Sequence, residues 1–173
     1  MRPSFWHRLD SLARRLTPFG LTLILMLLSL TPLHAPEVAR VVPALSMIAV
    51  YHWAINRPEL LPGWVVFVIG FLQDSLSGTA LGLNILLLLT VYGIVIYQRR
   101  FLTGKSFLVV WSGFALVAGL AFAEGWLLMS ILAFTFLDAA AIAAQYAITV
   151  GIFPLIAWCF IRWQQAFLAL EEA

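Results

Sequence analysis

Leu81-Gly-Leu-Asn-Ile-Leu-Leu-Leu-Leu-Thr-Val-Tyr-Gly-Ile-Val-Ile-Tyr97 lies inside a stretch that carries no charge from Ser75 to Gln98. Twenty or so apolar residues wound as a helix cross the roughly 30 Å hydrocarbon core of a bilayer. A membrane-spanning strand would instead alternate apolar and polar residues over about ten positions. The unbroken Ile85 to Leu89 run excludes that pattern. Further charge-free runs extend from Leu16 to Pro36, Val41 to Asn56, Leu60 to Gln73, Ser106 to Ala123 and Ala139 to Ile161. Over 173 residues the chain is 63% hydrophobic and 10% charged, whereas a soluble domain is nearer 25% charged. The expected fold class is therefore all-α, a polytopic integral membrane protein of about six transmembrane helices.

The amino terminus needs a separate decision, because Arg2, Arg8, Arg14 and Arg15 followed by an apolar stretch resemble a secretory signal. The apolar part is too long for one, and Leu33-His34-Ala35 has a small residue at only one of the two positions a peptidase reads. It is read as the first membrane helix, with Pro18 at its start and Pro32 and Pro36 at its exit. The expected layout is a basic cytoplasmic segment over residues 1–16 and a single membrane domain over residues 17–165. Its helices fall near 17–33, 41–55, 62–76, 81–97, 106–130 and 140–163, and a short tail follows at 166–173. Six spans with both termini in the cytoplasm place nine of the ten basic residues inside and only Arg40 outside. Five or seven spans fit that distribution less well.

This length leaves no room beside the spans for a soluble catalytic domain. The net charge of +2 is read as membrane orientation and not as a nucleic-acid surface, which needs a clustered basic face. Cys159 is the one cysteine, and the histidines stand apart at positions 7, 34 and 52. No catalytic residue, metal site or cofactor is expected. Tyr51-His52-Trp53 reads as an amphipathic cluster at the headgroup level, with a proton-relay role for His52 as the alternative. Small residues recur every four positions at Ala143, Ala147 and Gly151, and at Ala115 and Gly119. Such rows mark close helix contacts, more commonly internal ones. Glu124 either ends the fifth helix or sits within a longer one, and Asp138 belongs near an outer connection.

The most informative stretch is Gly70-Phe-Leu-Gln-Asp74-Ser-Leu-Ser77-Gly78-Thr-Ala-Leu81-Gly82-Leu-Asn84. Ser77, Gly78 and Thr79 form a sharp turn between two helices, with Gly78 able to take positive φ. Gly70 and Gly82 let backbones approach closely. Asp74 either accepts hydrogen bonds from the turn or meets a partner's cation. On this basis Gly78→Val is expected to harm folding more than Asp74→Asn.

The pattern G-x-x-x-D-x-x-S-G-x-x-L-G resembles the signature of the MreD family of bacterial rod shape-determining proteins. Gly70, Asp74, Ser77, Gly78, Leu81 and Gly82 carry the resemblance. Pro43, Tyr51, Trp53, Pro58, Arg99, Arg100 and Pro154 extend it over about residues 40–165. It implies a non-enzymatic scaffold in the bacterial inner membrane, associated with MreC, MreB filaments, RodA and a class B penicillin-binding protein in peptidoglycan elongation. Members are also similar in topology to the substrate-capture subunits of vitamin transporters. A transport component taking a small solute near Asp74 and Glu124 is thus the alternative. The scarcity of polar groups in the spans speaks against it, since a specific pocket needs several that converge.

Overall fold

Apolar runs bounded by proline, glycine and charge become helices in the structure. It is a computed structural model that describes the backbone of residues 5–30 and 42–169, and side chains over 18–30 and 42–163. These residues form six α-helices and no strand: α1 (Phe5–Leu30), α2 (Leu45–Asn56), α3 (Gly63–Ser77), α4 (Leu83–Leu102), α5 (Phe107–Leu132) and α6 (Ala139–Ala169). α4, α5 and residues 139–163 of α6 are long and apolar enough to cross a membrane, whereas α3 and residues 18–30 of α1 are shorter apolar helices. The fold is that of a polytopic membrane protein. The 56 residues from Ser106 to Ile161, ambiguous by hydropathy, resolve into two long helices.

Boundaries differ from expectation at α1, at α2, which starts at Leu45 and not near 41, at α4, and at α6, which runs to Ala169 and not 163; those at α1 and α4 have local reasons. α1 begins at Phe5 and not near Thr17, so Pro18 lies within the helix. The preceding Leu, Ala and Arg residues are good helix formers, and their propensity carries the helix through a proline that removes one backbone donor and crowds the carbonyl four residues before it. α4 runs on to Leu102, with Arg99 and Arg100 in its last turn, where cations are favoured by the helix dipole. The exit prolines Pro32 and Pro36, together with Arg40, lie outside the described residues, as do residues 170–173 of the expected tail.

α2 is the centre of the bundle. Every residue from Ser46 to Ile55 is buried, and α1, α4, α5 and α6 all pack on it. Its twelve residues rise only about 18 Å, so its ends stop inside protein and must be satisfied by neighbours. Ala44 N donates to Thr149 Oγ1 (3.1 Å) and Leu45 N to Ser29 Oγ (3.3 Å). At the other end Arg99 Nε donates to the Ile55 carbonyl (2.9 Å). α1, α4 and α6 thereby supply the caps that α2 lacks.

This burial corrects the interfacial reading of Tyr51-His52-Trp53, since all three side chains are inside the bundle. Tyr51 meets the edges of Phe114 and Phe153 and donates to the Val110 carbonyl (2.8 Å). A Cβ on Gly113 would stand 2.8 Å from its hydroxyl, so a larger residue there would displace the end of the Tyr51 side chain. His52 packs on Trp53 and Phe160 and is paired with Asn56 Nδ2 (3.3 Å).

Pro154 within α6 leaves the Val150 carbonyl without its helical donor. Trp111 Nε1 of α5 donates to that carbonyl at 3.0 Å. The α5–α6 contact therefore includes a side chain that replaces a missing backbone bond, as apolar surroundings require.

Candidate functional site

The helices alternate in direction, which brings the end of α1, the start of α2, the end of α3, the start of α4, the end of α5 and the start of α6 to one end of the bundle. Hydrogen bonds join them there: Ser29 to Leu45, Ser46 to Gln73, Asp74 to Asn84, Trp126 to the Leu137 carbonyl and Gln145 to the Val42 carbonyl. This end, away from the termini, holds the motif of residues 70–84.

Within the motif, Gly70 sets the distance between α3 and α4. An added Cβ would lie 2.6 Å from Ile85 Cα and 2.9 Å from Ile85 N. With the helices this close, Asp74, one turn further along α3, reaches the start of α4. Its Oδ2 accepts from Gly82 N (2.8 Å) and Ile85 N (3.4 Å). Its Oδ1 accepts from Asn84 N (3.0 Å), Asn84 Nδ2 (2.8 Å) and Thr79 Oγ1 (3.1 Å). The carboxylate therefore caps a neighbouring helix, satisfying amides that have no partner within their own helix and adding negative charge where the dipole favours it.

Asp74 is 1% exposed and engaged by these five donors. Facing a partner's cation, the other role considered for it, is thus not what the fold does with it. Gly78 and Gly82 take φ of 66° and 100°, conformations that side-chain-bearing residues rarely adopt. Ser77 turns its hydroxyl to the Gln73 carbonyl (2.6 Å) and to Thr79 Oγ1 (2.9 Å), and Leu81 points outward.

The polar network continues to side chains that sequence reading did not single out. Ser46 Oγ donates to Gln73 Oε1 (2.8 Å), and Gln73 Nε2 donates to Asn84 Oδ1 (3.3 Å). Gln145 Nε2 on α6 donates to the Val42 carbonyl (2.8 Å). Gln73, Asn84 and Gln145 line one cavity of about 300 Å³ to which all six helices contribute. The polar groups in the spans are few, as their composition shows, but the fold collects them at one place. The expectation that they are too sparse to converge is corrected.

A sequence profile described as rod shape-determining protein MreD matches residues 10–167. The chain belongs to the MreD family. The match reaches further toward the amino terminus than residues 40–165, where the resemblance was legible. No curated protein and no solved structure matches. MreD membership makes this a membrane protein with a role in rod shape determination.

The two small-residue rows have opposite fates in this MreD fold. Ala115 and Gly119 face inward: Tyr146 Oη donates to the Ala115 carbonyl (3.1 Å), and a Cβ on Gly119 would meet the Tyr146 ring at 3.6 Å. Ala143, Ala147 and Gly151 face outward, and a Cβ on Gly151 would meet nothing within 4 Å. Glu124 lies within α5 and accepts from Thr90 Oγ1 (3.3 Å), while Asp138 accepts from Ala140 N (2.9 Å) at the start of α6. No cluster of three His, Cys, Asp or Glu side chains suited to a metal occurs among the described residues.

Proposed function

We propose that this MreD-family chain is a non-enzymatic scaffold of the rod-shape elongation complex. It crosses the inner membrane six times with both termini in the cytoplasm, and residues 17–165 form its single membrane domain. Its partners are MreC and, through the same assembly, MreB, RodA and a class B penicillin-binding protein. No cofactor takes part, and the bilayer is its solvent.

The observation that carries this reading is the outward row Ala143, Ala147 and Gly151 on α6, the least buried of the three long apolar helices. Lipid tails are as apolar as leucine, so helices associate in a membrane through close backbone approach at small residues. A row of three left uncovered suits a partner's transmembrane helix. The motif residues Gly70, Asp74, Ser77, Gly78, Leu81 and Gly82 act in this proposal mainly by holding the connections at the far end of the bundle in one geometry.

Co-purification with MreC from native membranes in mild detergent tests the role directly. Recovery of MreC with this chain, and rounding of rod-shaped cells on depletion, are expected. Retained rod shape with lost uptake of one solute would point instead to transport.

A further inference from the structure

The cavity at the end of the bundle away from the termini has a lining unlike the rest of the molecule. Side-chain amides and hydroxyls of Ser29, Gln73, Ser77, Thr79, Asn84 and Gln145 converge on it from α1, α3, α4, α6 and the α3–α4 turn. Phe122 and Trp126 of α5 form part of its apolar lining. Among the described residues no charged side chain lines it, and the oxygens of nearby Asp74 are engaged by backbone and side-chain donors. An anion entering here would meet no cation among the described lining residues, and a cation no carboxylate, and an unpaired charge held away from water is costly.

The amides keep capacity for a guest. Gln145 gives an amide hydrogen to the Val42 carbonyl, and nothing among the described residues engages its Oε1. Gln73 Nε2 has a second hydrogen beyond the one given to Asn84. Carbonyl acceptors, amide donors and hydroxyls at the mouth of a mostly apolar pocket fix the orientation of a ligand that is itself neutral and rich in hydrogen-bonding groups. A volume of about 300 Å³ leaves room for one sugar ring. The aromatic wall suits the apolar C–H face of such a ring.

We infer that this cavity is a binding site for a neutral polyhydroxyl group of monosaccharide size, presented either as a free sugar or as the headgroup of a glycolipid. The inference is independent of the scaffold role, since it concerns the isolated chain.

The test uses the full chain in phosphatidylcholine nanodiscs, with methyl β-D-glucoside as the probe and saturation-transfer NMR as the readout. Saturable transfer to the glucoside is expected, with none to choline or glycerol 3-phosphate. Gln145→Leu should weaken binding at least fivefold, and Ile142→Trp, which fills the cavity, should abolish it. Thermal melting of each variant confirms that it is folded, and Gln145→Leu carries the test alone if Ile142→Trp does not fold. Monoglucosyl diacylglycerol added to the nanodiscs separates the two sources: competition with the glucoside identifies a lipid headgroup, and its absence a soluble sugar. No saturable transfer, equal transfer to both folded variants, or a preference for the charged probes would overturn the inference, whatever MreC co-purification shows.

Discussion

Gly70 and Ile85 fix the spacing of α3 and α4, because a single methyl group on Gly70 would stand 2.6 Å from Ile85 Cα. The obstruction is backbone, which cannot rotate out of the way as a side chain would. Gly70→Ala must push the helices apart, and overpacking of this kind costs about 1–3 kcal/mol. Separation also draws Asp74 away from the amides it caps. Gly70→Ala should therefore lower the unfolding midpoint of purified protein in detergent by more than Gly113→Ala, whose nearest obstacle is the end of the Tyr51 side chain. A wild-type midpoint for Gly70→Ala would mean that α3 and α4 do not pack at this distance.

The same geometry reverses the ranking expected for Asp74→Asn and Gly78→Val. The introduced amide places an NH2 group where Asp74 now has an acceptor. Gly82 N and Ile85 N, or Thr79 and the donors of Asn84, then lose their partner. A buried donor left unsatisfied costs about 1–3 kcal/mol. Gly78 is exposed with open space around it, so valine there brings mainly the left-handed backbone strain of about 1–2 kcal/mol. Asp74→Asn should thus reduce membrane levels more than Gly78→Val. Normal accumulation of Asp74→Asn beside degraded Gly78→Val would show that Asp74 does not cap α4.

What the sequence made legible was local. The spacing of Gly70, Asp74, Gly78 and Gly82 is a property of one helix end, one turn and the next helix start, and it can be read by anyone who knows what positive φ and close packing require. The burial of α2 was not legible, because hydropathy ranks a residue against water and cannot tell lipid from protein interior. Tyr51-His52-Trp53 has the composition of an interfacial belt and the position of a core. Gln73 and Gln145 were not legible for other reasons: Gln73 stands beside Asp74, the more conspicuous group at that helix end, Gln145 is an isolated polar residue in an apolar run, and only the fold brings the two to one cavity.

Trp111 and Pro154 offer a test in which one change should cancel another. Trp111→Phe leaves the Val150 carbonyl without a donor, because the proline four residues later has none to give. That should destabilise the protein by about 1–3 kcal/mol. In a Pro154→Ala background the alanine N–H bonds to the same carbonyl, so Trp111→Phe should cost markedly less. Unfolding of the two single variants and the double variant in detergent gives the coupling. Additive effects would show that the indole contributes packing alone.

Topology can be checked without purification. The proposed six-span layout puts Arg57, Arg99, Arg100, Lys105 and Arg162 on the cytoplasmic side, so a green fluorescent reporter after Ala173 should fluoresce, and alkaline phosphatase inserted after Pro36 should be active. Phosphatase activity from a fusion after Ala173 would rule out both termini being cytoplasmic.

The outward row on α6 separates partner binding from folding. Gly119→Leu adds a branched side chain where even a Cβ already touches the Tyr146 ring, so it should weaken the α5–α6 contact and reduce membrane levels. Gly151→Leu adds the same bulk where no atom lies within 4 Å of the new Cβ. Leucine is also the better helix former by about 1 kcal/mol. The isolated chain should therefore fold as well as before, or slightly better, and Ala147→Leu should behave alike. If a partner helix approaches this face, however, its backbone must come within reach of Gly151, and the leucine prevents it. Gly151→Leu should then accumulate to wild-type levels, recover severalfold less MreC and fail to restore rod shape in depleted cells. Cys159→Ser, also exposed but outside the row, should match wild type in all three measurements. Full MreC recovery by both Gly151→Leu and Ala147→Leu would remove α6 as the docking face, while loss of protein on Gly151→Leu would mean that the row packs within this chain.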